Sequence, residues 1–185
     1  MKVKDIIKTA GTLLSKDNVV GFLIDENTNN DKNTLRDVNV FITLLNCLLC
    51  ELAGTYIPMK KVENLNGETQ IFFKNLSENV VRILSVFKKD GEKISYKQDV
   101  EKIQTSSPAY YIEYEYMPAY YDLNDVIGYS HKDVSKTVLA HGLCCEYLLS
   151  EARYSEAMIF HEKYVNGIAS HKKCKNSKTV ARVWQ

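Results

Sequence analysis

The stretch that decides the fold runs from Ala109 to Ile127 and reads AYYIEYEYMPAYYDLNDVI. Its first half alternates apolar or aromatic side chains with tyrosine and glutamate, which is typical of a strand with one apolar and one polar face. Pro118 ends this strand because proline has no N–H group to donate to a ladder. Asp122 and Asp125 around Asn124 favour a polar turn. The stretch therefore predicts a junction between a sheet and the helices that follow.

Helical spacing of apolar residues dominates both ends of the chain. The predicted helices span residues 3–15, 34–53, 131–150 and 154–170. Asn33 or Thr34 is the expected N-cap of the second helix, and Ser130 with Asp133 the expected capping box of the third. The polar run Asp25–Asn33 is expected to be a surface loop. The last two helices, joined by a short connection, are expected to form an antiparallel hairpin.

Between these helices, residues 67–117 change to a period of two. The predicted strands are Thr69–Asn75, Val80–Lys88, Glu92–Gln98 and Tyr110–Met117. Asp90 and Gly91 predict a tight hairpin between the second and third strands, and Arg82 is expected to face Glu113 or Glu115 across strands.

The predicted fold is α+β. It is a helical bundle, made of N-terminal helices and a C-terminal antiparallel helix pair, with a small antiparallel β-sheet inserted. Residues 1–170 are expected to form a single domain, and residues 171–185 an extended basic C-terminal arm.

The composition is that of a globular protein, with 185 residues of which 45% are hydrophobic and 25% charged. Such a chain can bury a core without covalent staples. Its five cysteines are an odd number, so we expect free thiols in a reducing compartment. The sequence leads us to expect no membrane-spanning segment and no signal peptide, and hence synthesis in the cytoplasm.

The net charge of +1 hides an asymmetry between body and tail. No acidic residue follows Glu162, whereas six basic residues do, so residues 1–162 carry a net charge of −5. A basic end of this kind binds either nucleic acid or an acidic groove on a protein.

Cysteines and one histidine raise the question of a metal or redox site. Cys47 and Cys50 have the spacing of a ligand pair, and His141 with Cys144 or Cys145 could complete four ligands. Both groups lie in apolar helical segments without the turns that open a zinc knuckle, and buried cysteines are common core residues. We expect no metal and no cofactor.

Paired carboxylates raise the question of acid–base catalysis. Glu113 and Glu115 share one face of the predicted strand, where they are expected to be its solvated side, and Asp122 and Asp125 are turn residues. No histidine, serine or cysteine is placed beside them by a motif, so the sequence does not predict an enzyme.

The tyrosines of the opening stretch are compatible with a nucleic-acid stacking surface, but no lysine or arginine lies among them from Ser106 to Ser130. We expect them to form sheet core and an interface patch.

The order of parts resembles that of the head-tail connector (adaptor, or head completion) proteins of tailed bacteriophages. The resemblance covers about Leu35 to Trp184. It rests on LAGTYIP at 52–58, RILSV at 82–86, IEY at 112–114 before Met117-Pro118, VLAHGLCCEY at 138–147, YSEA at 154–157, and a basic end with Arg182 and Trp184.

The resemblance implies a virion protein that forms a ring, usually of twelve copies, beneath the portal ring. It implies contacts with the portal protein and with a tail hub or nozzle protein, a role in retaining packaged DNA, and a location at the head-tail interface after assembly in the bacterial cytoplasm. The implied portal-binding arm comprises Lys172, Lys173, Lys175, Lys178, Arg182 and Trp184. The alternative is a small nucleic-acid-binding protein that uses the same basic arm.

Overall fold

The computed structural model describes residues 1–25, 31–130 and 132–176, with the backbone alone for residues 171–176. The chain divides into two compact units. The helical unit takes its described residues from Met1–Leu48 and Tyr121–Gln185, and the sheet unit is Leu49–Tyr120. In the described residues the fold is α+β, with five α-helices and five strands.

The five helices follow the chain in two groups. Helices α1 to α5 span Val3–Leu13, Asp17–Ile24, Lys32–Glu51, Lys136–Ser150 and Tyr154–Asn176. A single π-helical turn, Leu52–Tyr56, continues α3. The first predicted helix is thus shorter than expected, because Ser15 takes a positive φ of 54° and a second helix begins two residues later.

The caps of α3 and α4 differ from the predicted ones. Asp31 caps α3, since its Oδ1 accepts hydrogen bonds from the backbone N–H groups of Asn33 and Thr34 at 2.9 and 3.0 Å. Ser130 and Asp133 do bond to each other, but they form a turn before the helix. Ser135 is the N-cap of α4, and its Oγ accepts from Val138 N at 3.2 Å.

Helices α4 and α5 pack as the predicted antiparallel hairpin. Gly142 of α4 faces Tyr164 of α5, and Val138 of α4 faces Gly167 of α5. The two helices therefore run in opposite directions. A methyl group on Gly142 would lie 2.8 Å from Leu48 and 2.9 Å from Tyr164. These glycines allow the helices to approach closely, and the prediction of an antiparallel hairpin is confirmed.

The core of the helical unit is apolar and includes one aromatic stack. Val3, Ile6, Ile7 and Ala10 of α1 are fully buried, as the helical spacing predicts. Other fully buried side chains come from α3 and α4, and include Phe41, Leu45, Leu139 and Leu143. The rings of Phe41 and Tyr147 stack at a centroid distance of 4.5 Å, which adds to the burial of both.

The sheet unit holds all five strands. Strands β1 to β5 span Met59–Phe72, Asn79–Phe87, Lys93–Ile94, Tyr96–Gln98 and Lys102–Met117. The order is β1-β5-β2-β3, with β4 also paired to β5, and every pairing is antiparallel. β2 and β3 are joined by the predicted tight turn, in which Gly91 has a φ of 87°.

The prediction of a small sheet inserted in a helical bundle is wrong. The sheet is curled and makes up a large part of the chain, and two of its strands, β1 and β5, are 14 and 16 residues long. Residues 59–66, MKKVENLN, form the first half of β1 although they are poor in the β-branched and aromatic residues that favour strands. They form a strand because β5 supplies hydrogen-bond partners along almost their whole length.

The first nine residues of the opening stretch, Ala109–Met117, form the second half of β5, the central strand. Ile112 and Tyr114 are fully buried, and they pack with Ile71, Ile83 and Val86 from the neighbouring strands. This is the predicted apolar face. The polar face differs from the prediction that both glutamates are solvated, because Glu115 is only 8% exposed.

Candidate interaction surfaces

The predicted arm lies largely beyond what the structure describes. Lys172, Lys173 and Lys175 belong to the last turns of α5, which continues to Asn176 and not to the predicted end at 170. The side chains of these three residues are not described. Lys178, Arg182 and Trp184 lie outside the described residues.

An apolar stripe on α5 leads toward that basic segment. Tyr154, Met158 and Val165 follow one another at spacings of four and seven residues, which places them on one side of a helix. They are between 41% and 65% exposed. Exposed apolar residues grouped on one helix side mark a candidate docking surface, whereas single ones need no explanation. We call these three residues the α5 stripe.

The sequence pattern did not separate this stripe from the buried face of α5. Ala157, Tyr164 and Ile168 have the same helical spacing but are at most 5% exposed. Ala157 contacts the α4 residues Cys145 and Leu148. Only the position of α4 distinguishes the two sets, so the stripe becomes visible when the hairpin has formed.

The sheet unit presents two unpaired strand edges. Among the described strands, only β5 pairs with β1, so the other side of β1 has no strand partner. β3 pairs with β2 only at Val86 and Phe87, which leaves the outer side of β2 from Asn79 to Ser85 without a described strand partner. We call these the β1 edge (Met59–Asn64, where pairing with β5 is regular) and the β2 edge (Asn79–Ser85). Such edges carry unpaired N–H and C=O groups that another strand can bond.

The best-organised polar cluster lies inside the sheet unit. Glu63 Oε2 accepts hydrogen bonds from Tyr114 Oη at 2.7 Å and from Ser77 Oγ at 2.8 Å. The neighbouring Lys61 Nζ lies 2.8 Å from Glu78 Oε1. The cluster ties β1 to the loop that precedes β2, across the central strand. Sequence reasoning missed Glu63 and Ser77, because nothing in the sequence links residues that lie 14 positions apart.

These contacts change the pKa values of Glu63 and Tyr114. Burial raises the pKa of Glu63, but the hydrogen bonds from Tyr114 and Ser77 outweigh burial, so its pKa lies below the ordinary value. Burial and the hydrogen bond to Glu63 raise the pKa of Tyr114 to about 12, although the hydrogen bond with Ser77 acts the other way. Tyr114 is fully buried, so the cluster acts as a structural clamp.

The predicted cross-strand ion pair is present. Arg82 Nε lies 3.1 Å from Glu115 Oε2, and the two residues are register partners on β2 and β5. The prediction that Arg82 faces Glu113 or Glu115 is confirmed for Glu115. Because the carboxylate is largely buried, Arg82 compensates for part of the cost of removing that charge from water.

The four cysteines whose side chains are described do not converge. Cys47 is exposed and Cys50 half-buried, whereas Cys144 and Cys145 are buried. Burial, followed by the proximity of Cys145, raises the pKa of Cys144 to about 12, and its Sγ lies 3.6 Å from Ala10 O. No group of three or more histidine, cysteine, aspartate or glutamate side chains in the described part of the chain could hold a metal ion.

The aspartates of the opening stretch form the predicted turn, and its tyrosines differ in burial. Asp125 Oδ2 accepts from Asp122 N at 2.7 Å, which closes the predicted turn. Tyr114 is fully buried, and Tyr120 is exposed. The tyrosines therefore do not share one surface.

Within the described residues, one helical segment meets the criteria for a membrane span by length and composition alone. Lys32–Tyr56 has 25 residues and a mean hydropathy of 1.6 in its most apolar window, half of which is buried inside the protein. The expectation that no segment is long and apolar enough does not hold for this helix. Core helices of soluble proteins meet the same criteria, so the finding is weak evidence for a membrane.

The chain matches no protein-family model and has no significant match among curated proteins.

Proposed function

We propose that this chain is a structural virion protein of a tailed bacteriophage, a head-tail connector that forms a ring below the portal. In this role it joins the capsid vertex to the tail and helps to retain packaged DNA, and it catalyses no reaction. Its partners are the portal protein, a tail hub or nozzle protein and further copies of itself.

The observation that carries the proposal is the form of α5. One side of this helix is held against α4 by buried residues such as Ala157, while the α5 stripe remains exposed. The same helix runs into the basic C-terminal segment. A helix with an exposed apolar stripe, followed by a charged segment, supports docking onto a large partner, because the apolar side chains and the charges can both contact it.

Charge distribution supports the same role. The first 162 residues carry a net charge of −5, and the six basic residues after Glu162 carry the opposite sign. A basic arm can dock into an acidic groove on the portal while it also makes non-specific contact with packaged DNA.

Docking to purified portal rings tests the proposal directly. Removal of residues 172–185 is expected to abolish co-sedimentation with the portal and to leave the circular dichroism spectrum essentially that of a folded chain. A matched control variant keeps the full length and replaces the basic residues of this range by glutamine, which separates loss of charge from loss of the segment. The residues replaced are Lys172, Lys173, Lys175, Lys178 and Arg182. Unchanged docking after the deletion would refute the assignment of the arm.

The same basic segment favours the second candidate, a nucleic-acid-binding protein. That function predicts tight binding to DNA without any portal, and an affinity that falls steeply as the salt concentration rises. Weak binding is also expected of a connector that lines a DNA channel. Tight DNA binding together with no portal binding would therefore favour the second candidate.

A further inference from the structure

The two open edges of the sheet form a pair with a defined geometry. β1 and β2 both run antiparallel to β5, so they run in the same direction on opposite sides of the sheet. The β1 edge of one copy can therefore pair with the β2 edge of a second copy in a parallel ladder. Each copy would use two different surfaces, and such head-to-tail contacts build a ring when the rotation between neighbours closes and a filament when it does not.

Both edges expose an apolar side chain that a strand neighbour would cover. Val62 on the β1 edge is 62% exposed and Val81 on the β2 edge is 56% exposed. Valine favours strands because it packs well against neighbours on a pleated surface. In an isolated copy both valines face water. One backbone group of the β2 edge is already used within the chain, because Ile83 O accepts a hydrogen bond from Tyr96 Oη at 3.1 Å, so the part of this edge that is open to a second copy is the part around Val81.

The β1 edge is the better-formed of the two. Its residues Met59–Asn64 pair with Tyr116–Tyr111 of β5 without a register shift. The β2 edge has two shifts, between Val80 and Arg82 and between Ile83 and Ser85. Such bulges bend a strand and increase its twist, so a sheet continued through this edge curves.

We propose that copies of this chain associate by sheet continuation, with the β1 edge of one copy beside the β2 edge of the next and Val62 close to Val81. The identity of the resulting assembly as a connector ring rests on the proposed function. The contact between the edges does not, because it follows from the topology of the sheet.

Site-directed cross-linking tests the contact. Full-length Val62→Cys and Val81→Cys variants, both with the exposed Cys47 replaced by serine, are mixed at high concentration and treated with a short bismaleimide. A dimer joining positions 62 and 81 is expected in the mixture, and a ladder of oligomers from the Val62→Cys, Val81→Cys double variant. Val100→Cys is the matched control, because Val100 is 89% exposed but lies between β4 and β5 and not on either edge.

Other products overturn the inference. A 62–62 dimer from Val62→Cys alone would show a symmetric contact between two β1 edges. A product that joins position 62 to the native Cys174 would show that the C-terminal segment occupies the β1 edge. If portal rings bind the protein but no 62–81 product forms, the sheet contact is wrong and the proposed function stands. If a 62–81 product forms but portal rings do not bind the protein, the sheet contact stands and the proposed function is wrong.

Discussion

The side chain of Asn46 on α3 bonds both backbone groups of Tyr121. Its Oδ1 accepts from Tyr121 N at 2.8 Å, and its Nδ2 donates to Tyr121 O at 2.9 Å. Nδ2 also donates to Ile42 O at 2.9 Å. The asparagine side chain thus takes the place of a helix or strand neighbour for Tyr121, which lies in an irregular segment. At Tyr121 the chain returns from the sheet unit to the helical unit.

Replacing Asn46 by leucine is expected to lower the free energy of unfolding by about 2–4 kcal/mol. The substitution removes two hydrogen bonds that the Asn46 side chain makes to the half-buried backbone of Tyr121, and loss of a hydrogen bond to a buried group costs about 1–3 kcal/mol. Urea denaturation measures the change. Asn39→Leu is the matched control on the exposed side of the same helix and is expected to change stability by less than about 0.5 kcal/mol. Equal effects of the two substitutions would contradict the role of Asn46.

Replacing Gly167 by alanine is expected to destabilise the helical unit by about 1–3 kcal/mol, because a methyl group there collides with Val138 across the hairpin. Gly142→Ala should act in the same direction. Gly54→Ala is the control, since its methyl group would meet only the end of Met117, at 3.9 Å. Thermal unfolding distinguishes them: a Gly167→Ala variant as stable as Gly54→Ala would show that the hairpin is looser than described.

The buried hydrogen bond from Tyr114 Oη to Glu63 Oε2 predicts a loss of stability at high pH. The pKa of Tyr114 is about 12 in the folded protein, above its ordinary value of 10.0, so the stabilisation is complete below about pH 10 and is lost as the pH rises through 12. The pKa of Glu63 is lowered, so its contribution is present above the ordinary value of 4.5 and is lost as the pH falls through the folded value.

Denaturation at pH 8 and pH 11 checks this dependence. Tyr114→Phe is expected to be less stable than the native chain at pH 8, and the difference should narrow at pH 11. Tyr120→Phe removes a hydroxyl from an exposed tyrosine and serves as the control at pH 8, where it should change stability by less than about 0.5 kcal/mol. A difference between Tyr114→Phe and the native chain that is independent of pH would mean that the hydroxyl does not titrate as described.

Placing a charge in the α5 stripe is expected to weaken portal docking without unfolding the protein. Met158→Asp adds a carboxylate to an exposed position, so its effect on stability should stay within about 0.5 kcal/mol. Val126→Asp is the matched control at an exposed position outside the stripe. Docking measured by co-sedimentation should fall for the first variant only. If both variants dock like the native chain, the stripe is not the docking surface.

Local patterns predicted the parts of the fold whose partners are close in sequence. The alternation in Tyr110–Met117 indicated the buried face of β5, and the spacing in α4 and α5 indicated a hairpin. The first half of β1 was missed because its residues favour a strand only when β5 lies beside them. Glu115 was misjudged for a related reason, since a two-residue period cannot tell an exposed polar face from a covered one.

Among the candidate surfaces, too, one could be predicted from local sequence and the others depend on the folded structure. The basic segment is visible in the sequence as a run without acidic residues. The α5 stripe and the two sheet edges are not visible in the sequence. Each is exposed because no other element of the chain packs against it, and this depends on the folded structure. Asp31 was passed over as a cap for α3 because it stands at the end of a polar run in which several residues suit that position.

Assembly on a phage portal, as proposed, can be observed by electron microscopy of purified portal rings mixed with the full-length chain. We expect an added ring of density below the portal, of about twelve copies, with the native chain and none after removal of residues 172–185. Portal rings that remain bare in the presence of excess folded chain would show that the chain is not a connector.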